Sequence, residues 1–68
     1  MITIVIPTFN EIKNVSDIIH QLLILDFPSD IEIIIVDDNS SDGTADKVRE
    51  IVHNDKRIRL INRVGRSG

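Results

Sequence analysis

Two short polar segments carry nearly all the side chains that could do chemistry, and each follows an aliphatic run. The first is Pro7-Thr8-Phe9-Asn10-Glu11, after Ile2 to Ile6. The second is Asp37-Asp38-Asn39-Ser40-Ser41-Asp42-Gly43-Thr44, after Ile31 to Val36. Adjacent carboxylates repel and need a reason to stand together. A carboxylate at a strand end can accept from a base N–H or a ribose hydroxyl, or face a cation. An aromatic such as Phe9 offers a ring for a base to stack on. Hydrogen bonds to a charged acceptor contribute about 1.5–3 kcal/mol each, enough to orient a nucleotide without a phosphate loop.

Each residue also has a plainer role. Pro7 cannot donate to a ladder and closes the strand. Phe9 can anchor a loop, and Glu11 can simply precede a helix. Asp37 and Asp42 flank a turn and read as caps for backbone N–H groups. Asp38 keeps the strongest claim to a ligand. His20 and His53 fall on helix surfaces in different segments and suggest no metal pair. Asp46 with Arg49, and Lys47 with Glu50, read as helix-surface pairs.

For the two segments to meet, the runs before them must be neighbouring parallel strands. Ile2 to Ile6 is β-branched and stops at Pro7. Asn14-Val15-Ser16-Asp17 looks like a helix N-cap with an acid in the first turn. Val15, Ile18, Ile19, Leu22 and Leu23 then form one apolar stripe at helical spacing. Phe27 to Asp30 is a turn. Ile31 to Val36 is apolar on both faces apart from Glu32, which predicts a central strand covered on both sides. Asp42-Gly43-Thr44 supplies cap and turn chemistry for a second helix with Ala45, Val48, Ile51 and Val52 on its apolar side, ending at Asn54-Asp55. Ile58, Leu60 and Ile61 make a third strand, and Arg63 to Gly68 is polar and glycine-containing. The pattern is β-α-β-α-β with right-handed parallel crossovers, an α/β chain forming half of a doubly wound sheet. In such sheets, ligands bind beyond the carboxyl ends of the strands.

The chain has 68 residues, enough for one domain at most. A domain this small buries only about 60% of its unfolded surface. Yet 41% of its residues are hydrophobic, as in the interior of a larger α/β protein. With no cysteine, disulfides and thiolate zinc sites are excluded. Net charge is −3, and basic residues gather only toward the tail (Lys56, Arg57, Arg59, Arg63, Arg66), which gives no footprint for nucleic acid. The apolar runs fall far short of the roughly 20 residues of a membrane span. No signal-peptide pattern precedes the first strand, so a soluble, intracellular protein is expected. Neither a Walker-type phosphate loop nor G-x-G-x-x-G occurs, and the glycine pair Gly65 and Gly68 is a weak signal. No Ser/His/Asp or Cys/His set is arranged for nucleophilic catalysis. A three-strand half-sheet leaves an edge unpaired, so the chain is expected to be the N-terminal portion of a longer domain, or to self-associate through that edge.

Ile2-Thr3-Ile4-Val5-Ile6-Pro7-Thr8-Phe9-Asn10-Glu11, with Ile33-Ile34-Ile35-Val36-Asp37-Asp38-Asn39-Ser40-Ser41-Asp42-Gly43-Thr44, resembles the start of family 2 glycosyltransferases. Within them it looks most like the dolichol- or polyprenol-phosphate mannosyltransferase branch, and the likeness covers essentially the whole chain. The resemblance implies a GT-A fold, whose Rossmann-like half of three parallel strands and two helices grips a nucleotide-sugar such as GDP-mannose or a UDP-sugar. Carried over by position, it implies that Pro7, Phe9 and Glu11 line the base and ribose. Val36 and Asp38 would also contact the nucleoside, with Asp38 reading the base edge. The family usually has tyrosine where Phe9 stands, so stacking is kept and a hydroxyl contact is lost.

The resemblance further implies a lipid-phosphate acceptor and work at the cytoplasmic face of a membrane. It also implies Mg²⁺ or Mn²⁺ on the diphosphate, held by an Asp-x-Asp motif that this chain does not contain. The expectation is the donor-binding portion of a hexosyltransferase, without catalytic residues or metal ligands of its own and inactive alone. One alternative is a non-catalytic nucleotide-binding or self-assembling module. Another is a receiver-type signalling domain, because Val36-Asp37-Asp38-Asn39 resembles the acidic pocket of response regulators. In those domains the acidic pair follows the first strand and a phosphoacceptor aspartate ends the third. Here the pair follows the second strand, and Asn62 stands where the third ends.

Overall fold

The computed structural model describes residues 1–63; residues 64–68, with Gly65, Arg66 and Gly68 of the tail, lie outside them. The chain runs β1 (Ile2–Thr8), α1 (Val15–Ile24), β2 (Ile31–Asp37), α2 (Thr44–Asn54), β3 (Ile58–Asn62). The strands form one parallel sheet in the order β1-β2-β3. The strand with the longest apolar run therefore takes the centre, as expected.

Alternation along the strands assigns the faces. Ile4 pairs with Ile33, which pairs with Ile58; Ile6 pairs with Ile35, which pairs with Leu60. These residues pack with Val15 and Ile19 of α1 and Val48 of α2 in one core. Ile33 and Ile35 are wholly buried, and burying an isoleucine contributes about 1.5–3 kcal/mol. On α1, Ile18 lies at the margin of the apolar stripe and is exposed, while Leu22 and Leu23 pack against the core.

Three expectations change. Among the described residues the sheet is covered on one face only, because two crossovers of one hand stepping the same way across it put both helices together. The other face carries Val5, Pro7, Ile34, Val36, Arg59 and Ile61. Val5 stays 58% exposed and Ile61 51%, and among the described residues a surface ion pair of Arg59 with Glu32 (3.3 Å) links β3 to β2 there.

Pro7 does not end β1, which continues through Thr8. Ile2 donates its N–H to Asp30 and Thr8 accepts from the N–H of Asp38, so even-numbered β1 residues bond toward β2. Pro7 then faces the open edge, where a missing N–H breaks no ladder bond.

Finally, Asn14 is not a side-chain cap. The chain is already turning at Glu11, whose carbonyl accepts from the N–H groups of Asn14 and Val15, so Asn14 lies inside the turn with a helical backbone.

Candidate functional site

The carboxyl ends of β1 and β2 bring both polar turns to one margin. Thr8 stands opposite Asp37, and the Asp38 N–H donates to the Thr8 carbonyl at 3.0 Å, extending the ladder one step beyond the strands. From there the turns interlock through side chains of the second and backbone N–H groups of the first. The Asn10 N–H donates to Ser40 Oγ (2.7 Å), the Glu11 N–H to Thr44 Oγ1 (2.9 Å) and the Ile12 N–H to Asp42 Oδ2 (3.1 Å). In return the Ser41 N–H donates to Asn10 Oδ1 at 2.9 Å. Hydroxyls that accept from the first turn can still donate their own proton, and both donate to carboxylates. Ser40 Oγ donates to Asp37 Oδ1 at 2.6 Å, and Thr44 Oγ1 donates to Asp42 Oδ1.

Asp37 is completely buried on the helix side of the sheet. Its carboxylate also accepts from Thr8 Oγ1 (2.8 Å) and from the Ser40 N–H (2.9 Å). Burial pushes this carboxyl up, but the hydrogen bonds from Ser40 and Thr8 outweigh it and hold it below the usual carboxylate range. For Asp42 desolvation likewise works upward, and the bonds from Thr44 and Ile12 bring it below its ordinary value. Both acids therefore hold backbone and hydroxyl donors, the role their turn positions suggested.

The backbone conformations match this use. Asn10 (φ 51°) and Asn39 (φ 57°) are left-handed, one in each turn, as is Gly43 (φ 94°). Asparagine tolerates that region better than most residues.

Of the residues singled out for ligand contact, Pro7 and Val36 are paired near the strand ends, and Phe9, Asp38 and Glu11 follow in the turns beyond them. Pro7 is the register partner of Val36 on the helix-free face, and Val36 also pairs with Ile61. Phe9 and Asp38 are the next positions of the same parity beyond β1 and β2. Phe9 is 60% exposed, and Asp38 is exposed with no side-chain hydrogen bond among the described residues. Glu11 is half-buried one turn further, held by its own backbone.

Sequence reasoning missed Thr8, Asn10, Ser40 and Thr44, which carry the interlock. A serine and a threonine set between acids in a turn was the available signal. At the end of β3, Asn62 is the partner of Asp37. An amide there leaves the receiver reading without its acceptor.

A cavity of about 290 Å³ opens at the opposite margin among Leu25, Phe27, Asp30, Ile31 and Arg57. Arg57 is already paired with Asp55 at 2.8 Å.

Comparison with known proteins adds to this geometry. A family model described as Glycosyl transferase family 2 matches residues 3–68. The chain is 38% identical over 60 residues to a GalNAc(5)-diNAcBac-PP-undecaprenol beta-1,3-glucosyltransferase of Campylobacter jejuni, covering 88% of this chain and 19% of that protein. It is 37% identical over 62 residues to a dolichyl N-acetyl-alpha-D-glucosaminyl phosphate 3-beta-D-2,3-diacetamido-2,3-dideoxy-beta-D-glucuronosyltransferase of Methanococcus voltae, covering 87% of this chain and 19% of that one. Among solved structures, a mannosyltransferase from Pyrobaculum calidifontis in complex with GDP-Man and Mn²⁺ superposes with a TM-score of 0.83 at 28% identity. That match covers 98% of this chain and 20% of the other. The chain thus spans about a fifth of the length of these relatives.

Proposed function

The chain belongs to glycosyl transferase family 2, and from that premise we propose that it is the donor-nucleotide-binding portion of a glycosyltransferase. Its interlocked turns form a cradle for the nucleoside of a nucleotide-sugar. One observation carries the reading. Asp37 and Asp42 are consumed in holding the first turn, while Asp38 and Phe9, each one residue past the paired Asp37 and Thr8, are both exposed at the margin where α/β sheets bind ligands. Phe9 stacks on the base, Asp38 accepts from its N–H groups, and Glu11 accepts from ribose hydroxyls. Pro7 and Val36 form the apolar floor.

The finer reading is hexosyl transfer, of mannose from GDP-mannose or of another hexose from a UDP-sugar, to a polyprenyl-phosphate lipid. The likeness to a mannosyltransferase solved with GDP-Man supports the donor, and the lipid-linked sugars in the names of the two curated relatives support a lipid-linked acceptor. No helix among the described residues is long and apolar enough to cross a membrane. Contact with a lipid-linked acceptor at the cytoplasmic face of a membrane is part of the proposal and rests on the lipid-linked substrates named for the relatives. A divalent cation, Mg²⁺ or Mn²⁺, belongs to the whole enzyme in this proposal, and when bound it neutralises charge on the leaving diphosphate. Among the described residues no three His, Asp or Glu side chains are grouped to hold one.

Calorimetric titration with GDP, UDP and their sugars, in the presence of Mg²⁺ or Mn²⁺, tests the cradle. Asp38→Ala should weaken binding about 10- to 100-fold, the loss of one hydrogen-bonded charge. Equal affinities for variant and parent would remove Asp38 from the site, and a parent that binds no nucleotide sinks the function.

A further inference from the structure

The cradle contains a buried carboxylate that the proposed binding step does not use. Asp37 touches no ligand position, yet its two oxygens take three donors: Thr8 Oγ1 on β1, and the hydroxyl and backbone N–H of Ser40 in the second turn. Ser40 Oγ in turn accepts the N–H of Asn10, in the first turn. The result is a relay from the last buried position of β2, through a hydroxyl, to the backbone next to Phe9. Because a hydroxyl has a single proton, donation to Asp37 fixes that proton and turns a lone pair toward Asn10. An ionised acceptor strengthens each bond it receives.

We infer that Asp37 and Ser40 are the positioning residues of the nucleoside cradle: they set the spacing between the turn that carries Phe9 and the turn that carries Asp38, an assignment that rests on the function proposed above. Asp38 follows Asp37 directly, so the residue that anchors the second turn also aims the base-reading acid. The left-handed backbones of Asn10 and Asn39 point the same way. Such conformations persist where the surroundings over-determine them, and Asn10 is held by both its N–H and its Oδ1. A cradle held at one spacing before the ligand arrives loses less freedom on binding.

The test uses the intact protein and whichever of GDP and UDP the parent binds more tightly. Asp37→Asn puts an amide N–H against the Ser40 N–H; because that change touches the core, Ser40→Ala is the principal variant and Ser40→Thr its control. Affinities are measured by calorimetry at a temperature where circular dichroism shows each variant folded. Ser40→Ala should bind about tenfold more weakly, and Ser40→Thr, which keeps the hydroxyl, should return most of that affinity. Amide exchange without nucleotide should show the Asn10 N–H losing protection in Ser40→Ala and keeping it in Ser40→Thr. Parent-like affinity in a folded Ser40→Ala variant overturns this inference alone, as does a threonine variant as weak as the alanine one. No nucleotide binding by the parent overturns the proposed function and this inference with it.

Discussion

The acids of the second turn look alike in sequence and differ by what they touch. Asp37 is buried under three donors, Asp42 is bonded to Thr44 and Ile12, and Asp38 faces outward. That division makes pH dependence residue-specific. Asp37 is depressed in the folded state, since hydrogen bonds from Ser40 and Thr8 outweigh the upward push of burial. A depressed carboxyl adds stability that is fully present above its unfolded value, about 3.9, and is lost as pH falls through the folded value. Thermal melts from about pH 6 down to about pH 2 should therefore show the midpoint holding steady and then falling below about pH 4. Asp42 and Asp55 are depressed as well, so Asp37→Asn should flatten that fall without abolishing it, from a lower starting midpoint. A variant profile parallel to the parent's would remove Asp37 as a source. Turn position alone was enough to read Asp37 and Asp42 as holders of backbone donors. It could not reveal that the donors for Asp42 and Ser40 come from residues some 30 positions earlier, because that depends on strand register.

Among the elements, strand and helix types followed from periodicity, and the errors came from neighbours a single segment cannot show. Apolarity on both sides of β2 placed it centrally, but which faces the helices cover is decided by the sense of both crossovers. Pro7 looked like a stop until β1 proved to be an edge strand of the sheet formed by the described residues, in which its odd positions bond to no neighbour. The start of α2 shows where conformation outweighs space. Gly43 has φ 94°, and a Cβ built there meets only Ile12 Cδ1, at 3.9 Å. Gly43→Ala should thus cost about 1–2 kcal/mol through the left-handed backbone, with no collision to relieve. Gly43→Asn should cost less, and urea unfolding midpoints would rank the two. By contrast, Ile33→Ala empties a site in wholly buried core and should cost about 2–5 kcal/mol. Arg49→Ala removes only an exposed pair with Asp46 and should stay within about 0.5 kcal/mol of the parent. If the Ile33 and Arg49 variants unfold at similar denaturant, the assigned core is wrong.

At the scale of the molecule, one sheet face carries both helices while the carboxyl margin gathers the polar turns, so the proposed ligand site lies along one margin of the sheet. The turns are tied by hydrogen bonds between segments that are distant in sequence, and a nucleoside seated across them would bridge both sides. A ligand that binds only the folded chain stabilises it by mass action, about 2.7 kcal/mol at a hundred times its Kd. For a folding unit of 60–100 residues, each kcal/mol moves the melting midpoint by roughly 4–8 °C. A saturating nucleoside diphosphate should accordingly raise the midpoint by about 10 °C or more. The same concentration should give a much smaller rise in Asp38→Ala, whose fold is intact because its exposed carboxylate supports no contact among the described residues. The signature is an unchanged midpoint without nucleotide together with a lost increment in its presence. A full increment in Asp38→Ala would mean that the nucleotide sits elsewhere, and the groove near Arg57 at the opposite margin would become the next place to look.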